Sequence, residues 1–328
     1  MDAPRTGLNS TMEGANGEQK ATDADRRLAR LGAAFFIDAA SILSATFDRD
    51  FAVGMTFVTL FRDTRRARMA NWSPDNSLDG DEIPADTPTS TRALAEALDL
   101  PYDTVRRHLR KLRRMGWCES TSEGVFIPLL GTADETLRTA VDQLWRLVRD
   151  FATLSARMGA FPSPAKPILS RDARFQIARV AIDYFVDSLT MARRRLGLSP
   201  IECVVLRALT SRNLRTLSQT VDAPSASHEL SADGAAMPRA PISVYAVSKT
   251  LSLPYETVRR TANHLIATGW AERTEDRGLK IPAAIWTSEA PRAYVAEYAP
   301  LTAAFLARLA WIDAQMAAGR PAGASDDG

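Results

Sequence analysis

Cysteine and histidine are scarce in this sequence, which has two cysteines and three histidines in 328 residues. Cys118 and Cys203 are typical of ordinary reduced residues in a cytoplasmic protein, not of a disulfide or metal pair. His108 and His264 have no cysteine or carboxylate at metal-ligand spacing and are expected on the surface, and His228 falls in a polar loop. No metal site and no cofactor is therefore predicted.

The sequence also lacks a membrane span and a recognisable catalytic motif. Residues 31–47 are apolar, but the run is short and Asp38 interrupts it. The first residues lack the basic-then-apolar layout of a secretion signal. No glycine-rich phosphate loop, Ser/His/Asp set or carboxylate pair stands out, so we expect neither an enzyme nor a membrane partner.

Net charge is small, at +2, and does not by itself indicate a partner. Residues 1–25 carry five acidic and two basic side chains, which leaves the remainder near +5. The hydrophobic fraction of 45% is that of a globular protein. A length of 328 residues allows about two domains.

An internal repeat organises the chain. Leu-Pro-Tyr-Asp-Thr-Val-Arg-Arg at 100–107 returns as Leu-Pro-Tyr-Glu-Thr-Val-Arg-Arg at 253–260. Residues 97–120 align without a gap to residues 250–273, with 12 of 24 positions identical. The spacing of 153 residues agrees with two domains, so the sequence predicts one structural unit used twice.

Local signals give each copy the same order of elements. Ser90 and Thr91 can cap a helix over 92–98, and Pro101 suits the start of a second helix over 101–115. Gly116 predicts a left-handed end to that helix, and residues 117–128 have the pattern of a short hairpin. In the second copy the corresponding segments are a helix over 243–251, a helix over 254–268 and a hairpin over 270–281.

Long apolar helices flank these elements, and polar segments separate them. Helical stripes predict helices from residue 25, over 51–68, 135–158, 173–196, 201–209 and 290–312. The predicted domains are residues 25–159 and 173–315, joined by a proline-rich linker at 160–172 and flanked by disordered tails at 1–24 and 316–328. Polar loops precede the repeated element in both copies.

The second helix of each repeat has one buried stripe and one exposed face. Val105, Leu109 and Leu112 are spaced i, i+4, i+7, as are Val258, Ala262 and Leu265 in the second copy. This stripe turns the arginines of the helix outward. Trp117 and Trp270 follow the helix end and are expected in the core.

This layout resembles the winged helix-turn-helix of bacterial transcriptional regulators. The motif at 100–107, the following leucine and the Gly-Trp pair are similar to their recognition helix and first wing strand. The flanking helices resemble the MarR-type arrangement, in which two chains pair through their outer helices. The resemblance implies a mainly α fold of tandem winged helix-turn-helix domains with flanking long helices and small β-hairpin wings, fused as a single-chain pseudo-dimer. It also leaves room for a small-molecule effector between the outer helices and the winged domain.

Charge distinguishes a DNA reader from a winged helix that binds only protein. Six basic side chains against Asp103 give the first recognition helix +5, whereas the second has +1 but a more basic wing. An α-helix fits the major groove, and arginine reads guanine there. We therefore predict two unequal contacts with double-stranded DNA. The predicted DNA-binding residues are Tyr102, Asp103, Thr104, Arg106, Arg107, Arg110, Arg113 and Arg114 in the first copy, and Tyr255, Thr257, Arg259, Arg260, Asn263, Arg273 and Arg277 in the second.

Two points stay open at the level of sequence. Tyr102 and Tyr255 would either contact DNA or pack on their own turn, and Phe35, Phe36, Phe57 and Phe61 would form either plain core, the favoured reading, or an effector pocket. The favoured function is a cytoplasmic, nucleoid-associated transcriptional regulator, with a homodimer of pseudo-dimers allowed by the apolar closing helices. The alternatives are a plasmid or phage replication initiator with tandem winged helices and a non-enzymatic winged-helix scaffold for protein partners.

Overall fold

Helices form most of the computed structural model, which describes residues 23–70, 88–128, 134–159, 173–210 and 241–318. The predicted mainly α class is confirmed. The first half contains α1 (Asp23–Thr46), α2 (Phe51–Ala70), α3 (Thr91–Leu98), α4 (Tyr102–Arg114), β1 (Glu119–Ser120), β2 (Val125–Phe126) and α5 (Glu135–Arg157). The second half contains α6 (Arg174–Leu196), α7 (Pro200–Thr210), α8 (Val244–Leu251), α9 (Tyr255–Ala267), β3 (Glu272–Arg273), β4 (Leu279–Lys280), α10 (Ala283–Thr287) and α11 (Glu289–Ala318).

The predicted helices lie within a few residues of the observed ones, with differences near the C-terminus. The short helix α10 was not expected, and α11 continues to Ala318, into the segment predicted as a tail. The predicted linker at 160–172 and the rest of the two predicted tails lie outside the described residues. So do the polar loop predicted over 215–238 and all but residues 88 and 89 of the polar loop predicted over 71–89.

Repeat unit one, residues 88–128, is built by the local signals that its sequence carries. The Ser90 hydroxyl accepts a hydrogen bond from the amide of Ala93 and caps α3. Asp99 ends α3 in the left-handed region at φ 55°, and Gly116 ends α4 at φ 74°. Strands β1 and β2 then pair antiparallel, and Thr89 bridges to Val125 on the free edge of β2.

Repeat unit two, residues 241–282, has the same backbone at equivalent positions. Ser243 caps α8 through the amide of Ala246, Ser252 ends it at φ 53°, and Gly269 ends α9 at φ 80°. Ile242 bridges to Leu279, as Thr89 bridges to Val125. The sequence repeat is thus a structural repeat: helix, left-handed turn, helix and hairpin, with a bridging residue before the first helix.

The predicted buried stripes are confirmed in both units. Val105, Leu109 and Leu112 of α4 are at most 3% exposed. Val258, Ala262 and Leu265 of α9 are fully buried. Trp117 is also buried, as predicted, whereas Trp270 is half-buried. Each second helix therefore has a fixed rotation, which decides the side chains that it presents to solvent.

Four long helices, α1, α5, α6 and α11, form the centre of the molecule and mix the two copies. Helix α1 packs on α5 of its own copy and on α11 of the other, while α6 packs on α11 and on α5. Aromatic rings fill the space between them: the ring centroids of Phe35 and Phe151 are 5.2 Å apart, and those of Tyr184 and Phe305 are 4.4 Å apart. This arrangement buries a large apolar area, which is the main favourable term in folding.

Four phenylalanines were predicted to form either plain core or an effector pocket, and all four belong to the core. Phe35, Phe36 and Phe57 are between 0% and 7% exposed, and Phe61 packs against the same cluster. Residues Arg27–Thr46 of α1 are long and apolar enough to cross a membrane, but 56% of the most apolar window is buried inside the protein. The apolarity of α1 is accounted for by its central position.

A polar network lies inside this apolar centre. The Tyr184 hydroxyl donates to the Tyr298 hydroxyl at 2.9 Å and lies 2.9 Å from the Thr302 hydroxyl. The guanidinium of Arg207 is buried, donates to the same Tyr298 oxygen at 2.9 Å, and stacks over Phe36 with 4.1 Å to the ring centroid. Since buried polar groups are costly when unpaired, these bonds offset part of the desolvation that the network requires.

Gly32 of α1 allows the helix to approach this network closely. A Cβ at this position would lie 2.6 Å from the Thr302 hydroxyl and would overlap the Tyr184 hydroxyl. We predict that Gly32→Ala lowers the free energy of unfolding by about 1–3 kcal/mol, because overpacking forces the two copies apart. Urea denaturation of Gly32→Ala beside Ala33→Ser, one residue further along α1, checks this. Equal stability of the two variants would contradict the predicted crowding.

Candidate nucleic-acid interface

The outward face of α4 is densely basic. Its arginines at 106, 107, 110, 113 and 114 are all exposed, as the buried stripe requires. Tyr102, at the start of the helix, is 51% exposed. Asp103 is exposed beside it, and Thr104 is half-buried.

Four of these five arginines form no ion pair with an acidic residue that the structure describes. Arg106 pairs with Asp103 at 3.1 Å, and Lys111 pairs with Asp50 of α2 at 3.4 Å. By contrast, no carboxylate in the described part of the chain forms a salt bridge with any of the following: Arg107, Arg110, Arg113 and Arg114. Because a helix rises about 1.5 Å per residue, these four guanidinium groups are spread along about 10 Å of one exposed surface.

His108 was predicted on the surface, and that prediction is wrong. It is only 7% exposed, and its Nδ1 lies 2.9 Å from the Thr56 hydroxyl on α2. Burial lowers the pKa of His108, while Asp50 acts in the opposite direction. Position 108 completes the i, i+3, i+4, i+7 stripe with 105, 109 and 112, so full use of the helical period would have indicated its burial.

Helix α9 exposes the positions equivalent to those of α4, but the charged residues at these positions and their partners differ. Arg259 donates two hydrogen bonds to Glu256, at 2.8 and 2.6 Å, and this contact lowers the pKa of Glu256. Arg260 is exposed and has no salt bridge within the described residues. Tyr255 is 50% exposed, like Tyr102, and Thr257 is half-buried, like Thr104. Counting partners within the described ranges alone, α9 presents one exposed guanidinium without a carboxylate partner, where α4 presents four.

The hairpin of repeat unit two carries basic side chains that partly compensate for the smaller positive charge of α9. Arg273 of β3 donates from Nη2 to the side-chain oxygen of Asn263 on α9, at 2.7 Å, and so ties the hairpin to the helix. Lys280 of β4 pairs with Glu272 across the hairpin at 2.9 Å. Arg277 is exposed at the hairpin turn, at φ 58°, with no salt bridge to a residue that the structure describes. Basic groups thus extend from α9 along the hairpin.

Helix α8, which precedes α9 in repeat unit two, exposes an aromatic ring beside a cation. Tyr245 is 60% exposed, and the ammonium of Lys249 lies 5.6 Å from its ring centroid. The equivalent residues of α3 are Arg92 and Glu96, which pair with each other at 3.2 Å. Alignment of the two copies beyond residue 97 toward the N-terminus would have revealed this replacement of a neutral pair by a cation and an aromatic ring.

Two open grooves lie on repeat unit one. The larger has a volume of about 760 Å³ and runs along α3, the turn and the start of α4, between Arg92, Asp99 and Tyr102. The smaller, of about 370 Å³, separates Tyr102 from the turn between β1 and β2. Both are formed by the surface that surrounds the N-terminal end of α4, and neither lies among the buried phenylalanines of the centre.

The cysteines have no role at this surface. Cys118 and Cys203 are free and buried. Burial raises the pKa of Cys118 to about 11 and that of Cys203 to about 12, so both thiols stay protonated at neutral pH.

No protein-family model, curated protein or solved structure matches this chain.

The buried His108 makes the attachment of α4 sensitive to pH. Its pKa in the folded protein lies below the ordinary value of 6.5, so the unfolded chain binds the proton more tightly. The stabilising contribution is complete above about pH 6.5 and is lost as the pH falls through the interval between the two pKa values. We predict that, between about pH 7 and pH 5, the unfolding free energy of the wild-type protein falls more steeply than that of His108→Gln. Denaturant titrations across this range measure both slopes, and equal slopes would refute the prediction.

Proposed function

We propose that this protein is a sequence-specific regulator of transcription that binds duplex DNA through two unequal winged helix-turn-helix units. The observation that carries the proposal is the row of four arginines on the exposed face of α4 that have no acidic partner among the described residues. A solvated helix face usually offsets its charges with i, i+4 partners of opposite sign, as Arg92 and Glu96 do on α3. The face of α4 leaves most of its positive charge without such partners, which suits a polyanion.

The order of elements supports a winged helix-turn-helix in each unit. In such domains the second helix enters the major groove and the first crosses the backbone. Helices α4 and α9 hold the position of the second helix, and the hairpins β1–β2 and β3–β4 hold that of the wing. The central packing of α1, α5, α6 and α11 across the two copies supports a single-chain pseudo-dimer with a MarR-like layout.

The two units would contact DNA by different means. In unit one, Arg107, Arg110 and Arg113 have the length and geometry to reach guanine edges or phosphates from α4. In unit two, Arg260 and Arg277 have no carboxylate partner in the part of the chain that the structure describes, so their charge is available to DNA. Arg259 would first have to leave Glu256 to contact a phosphate. Solvent screens an exposed ion pair of this kind strongly, so little free energy is lost when Arg259 leaves Glu256 for a phosphate. The proposed DNA site has two half-sites of different sequence. The protein would act in the cytoplasm, on the DNA of the nucleoid.

One observation favours replication initiation as the second candidate. Tyr245 and Tyr255 of unit two are both half exposed or more, and Lys249 adjoins the first ring. Exposed aromatic rings beside cations can stack unpaired bases. Melting of an origin-like duplex, detected by permanganate reactivity of unpaired thymines, would distinguish initiation from promoter control.

Selection of bound sequences from a random duplex pool tests the proposed function directly. We expect enrichment of two half-sites of different sequence at a defined separation. Absence of duplex binding at low salt would exclude the proposal.

Arg107 supplies a matched test of the α4 surface. We predict that Arg107→Ala weakens binding to the selected duplex by about 1–3 kcal/mol and relaxes preference at one position if it reads a base. If it contacts only phosphate, affinity falls uniformly across sequences and the salt dependence decreases by about one unit. Arg146→Ala, an exposed arginine on α5 of the central helices, is the control and should bind as the wild type does. The same affinity for both variants would remove α4 from the interface.

Lys249 tests the contribution of α8. We predict that Lys249→Glu, which imports the residue found at the equivalent position of unit one, raises the Kd by about tenfold at low salt, because it replaces attraction to phosphate by repulsion. Lys249→Gln should show a smaller increase, since it removes attraction alone. Electrophoretic mobility shifts at several salt concentrations measure both. Wild-type affinity for Lys249→Glu would show that α8 faces away from the DNA.

A further inference from the structure

The turn of repeat unit two is held by the first helix of the other copy. Near the end of α1, the Ser41 hydroxyl lies 3.0 Å from the Ser252 hydroxyl, and the Ser44 hydroxyl donates to the Ser252 carbonyl at 2.7 Å. Just beyond α1, the guanidinium of Arg49 donates to the carbonyl of Leu253. Ser252 and Leu253 form the left-handed turn between α8 and α9.

The turn of repeat unit one is held in the same way from the opposite direction. Near the end of α6, Nη1 of Arg193 donates to the carbonyl of Ala97 at 3.1 Å. Its Nη2 lies 3.2 Å from the carboxylate of Asp99. The side chain of Arg193 is 20% exposed, so it is fixed by its surroundings along most of its length.

The two sets of contacts are equivalent by the repeat. Asp99 aligns with Ser252, and both are left-handed residues that end the first helix of their unit. Helices α1 and α6 are the first long helices of their respective copies. Each copy therefore ends its first helix on the turn of the other copy, although the side chains that make the contact differ: serines and an arginine in one case, a single arginine in the other.

The backbone at the end of α1 is strained in a way that serves this contact. Asp48 and Arg49 have φ values of 54° and 65°, a region that residues other than glycine rarely occupy. Two successive residues of this kind persist only where the surrounding structure stabilises them. The bond from Arg49 to Leu253 is one such stabilising interaction, and Ser44, which is fully buried, is another.

We propose that Arg193 on one side, and Ser41, Ser44 and Arg49 on the other, are positioning residues that set the distance and angle between α4 and α9. The inference rests on the proposed function, because it assigns these residues the selection of the spacing between the two half-sites. The turn fixes where each second helix begins. The helices that contact the turns, α1 and α6, both pack on α5 and α11 at the centre of the molecule. The exposed faces of α4 and α9 are thereby held at a fixed position relative to each other.

DNA geometry makes such a frame selective. Successive base pairs are separated by about 3.4 Å and rotated by about 34–36°, since one turn has about 10–10.5 base pairs. One inserted base pair therefore moves the second half-site by about 3.4 Å along the DNA and rotates it by about 34–36° away from the protein helix that contacts it. If α4 and α9 are held at a fixed distance and angle, the protein binds the shifted site weakly. If that distance and angle can vary, the protein binds it more tightly.

The free protein provides the first test. Spin labels on cysteines introduced at the equivalent positions Arg114 and Ala267 report the distance between α4 and α9. The native cysteines are buried, so they should not be labelled. We expect one narrow distance distribution for the wild type. We expect a distribution at least about twice as broad when Arg193→Ala and Ser44→Ala are added, because the turn of unit one then loses the contacts that Arg193 makes and the turn of unit two keeps only those of Ser41 and Arg49. Arg194→Ala, an exposed neighbour on α6, should leave the distribution narrow.

The second test uses duplexes in which the two selected half-sites are separated by zero to three additional base pairs. For the wild-type protein we expect one added base pair to raise the Kd by about tenfold or more, as expected when one half-site is lost. For the Arg193→Ala, Ser44→Ala variant we expect the increase to shrink to about threefold or less, with little change in affinity for the best spacing. A purely structural loss would instead weaken binding at all spacings and lower the thermal midpoint.

The outcomes separate the two proposals. If the distance distribution stays narrow in the double variant, or broadens without a change in spacing preference, these residues are not positioning residues. If the wild type binds no duplex at all, the proposed function fails, while the distance measurement still decides whether the residues fix the two helices.

Discussion

The close packing of α1 against the buried tyrosines of α6 and α11 is the constraint on which the rest of the structure depends. Gly32 has no Cβ, and only for that reason can α1 lie against the hydroxyls of Tyr184 and Thr302. The hydrogen bonds from Tyr184 and Arg207 to Tyr298 then satisfy polar groups that would otherwise be buried without partners. Once α1 has this position, its C-terminal end reaches repeat unit two, and α6 reaches repeat unit one.

Helices α4 and α9 begin with nearly the same six residues, 102–107 and 255–260, but their exposed surfaces differ in chemistry. Arg106 and Arg259 occupy equivalent positions, and each faces an acidic residue three positions earlier. The difference lies further along: Arg110, Arg113 and Arg114 of α4 correspond to Asn263, Ile266 and Ala267 of α9. Charge in unit two is instead found on the hairpin and on α8, where Lys249 replaces Glu96. The two units therefore bury the same positions of the second helix, 105, 109 and 112 against 258, 262 and 265, but differ in the charge of its exposed positions.

The repeat units could be predicted from sequence because short-range signals specify them. Ser90 and Ser243 cap helices, Gly116 and Gly269 end them, and Val105 and Val258 identify the buried face. The burial of His108 was missed because a polar residue was judged by its type rather than by its place in the helical stripe. The contacts of Arg49 and Arg193 with the opposite turns could not have been predicted, since contacts across 204 and 96 residues leave no periodic pattern in the sequence. Tyr245 was overlooked because the repeat was traced only from residue 97 onward.

The crossing of α1 and α6 has a consequence for how the chain folds. Each half of the sequence contains a complete repeat unit, yet the turn of that unit is completed by a helix from the other half. Cutting the chain between the copies would thus not yield two self-sufficient domains, because each fragment would expose the apolar face of its long helices and lose the support of its turn. The two copies share one set of central helices and contact each other's turns, so unfolding of one copy would remove contacts that the other makes.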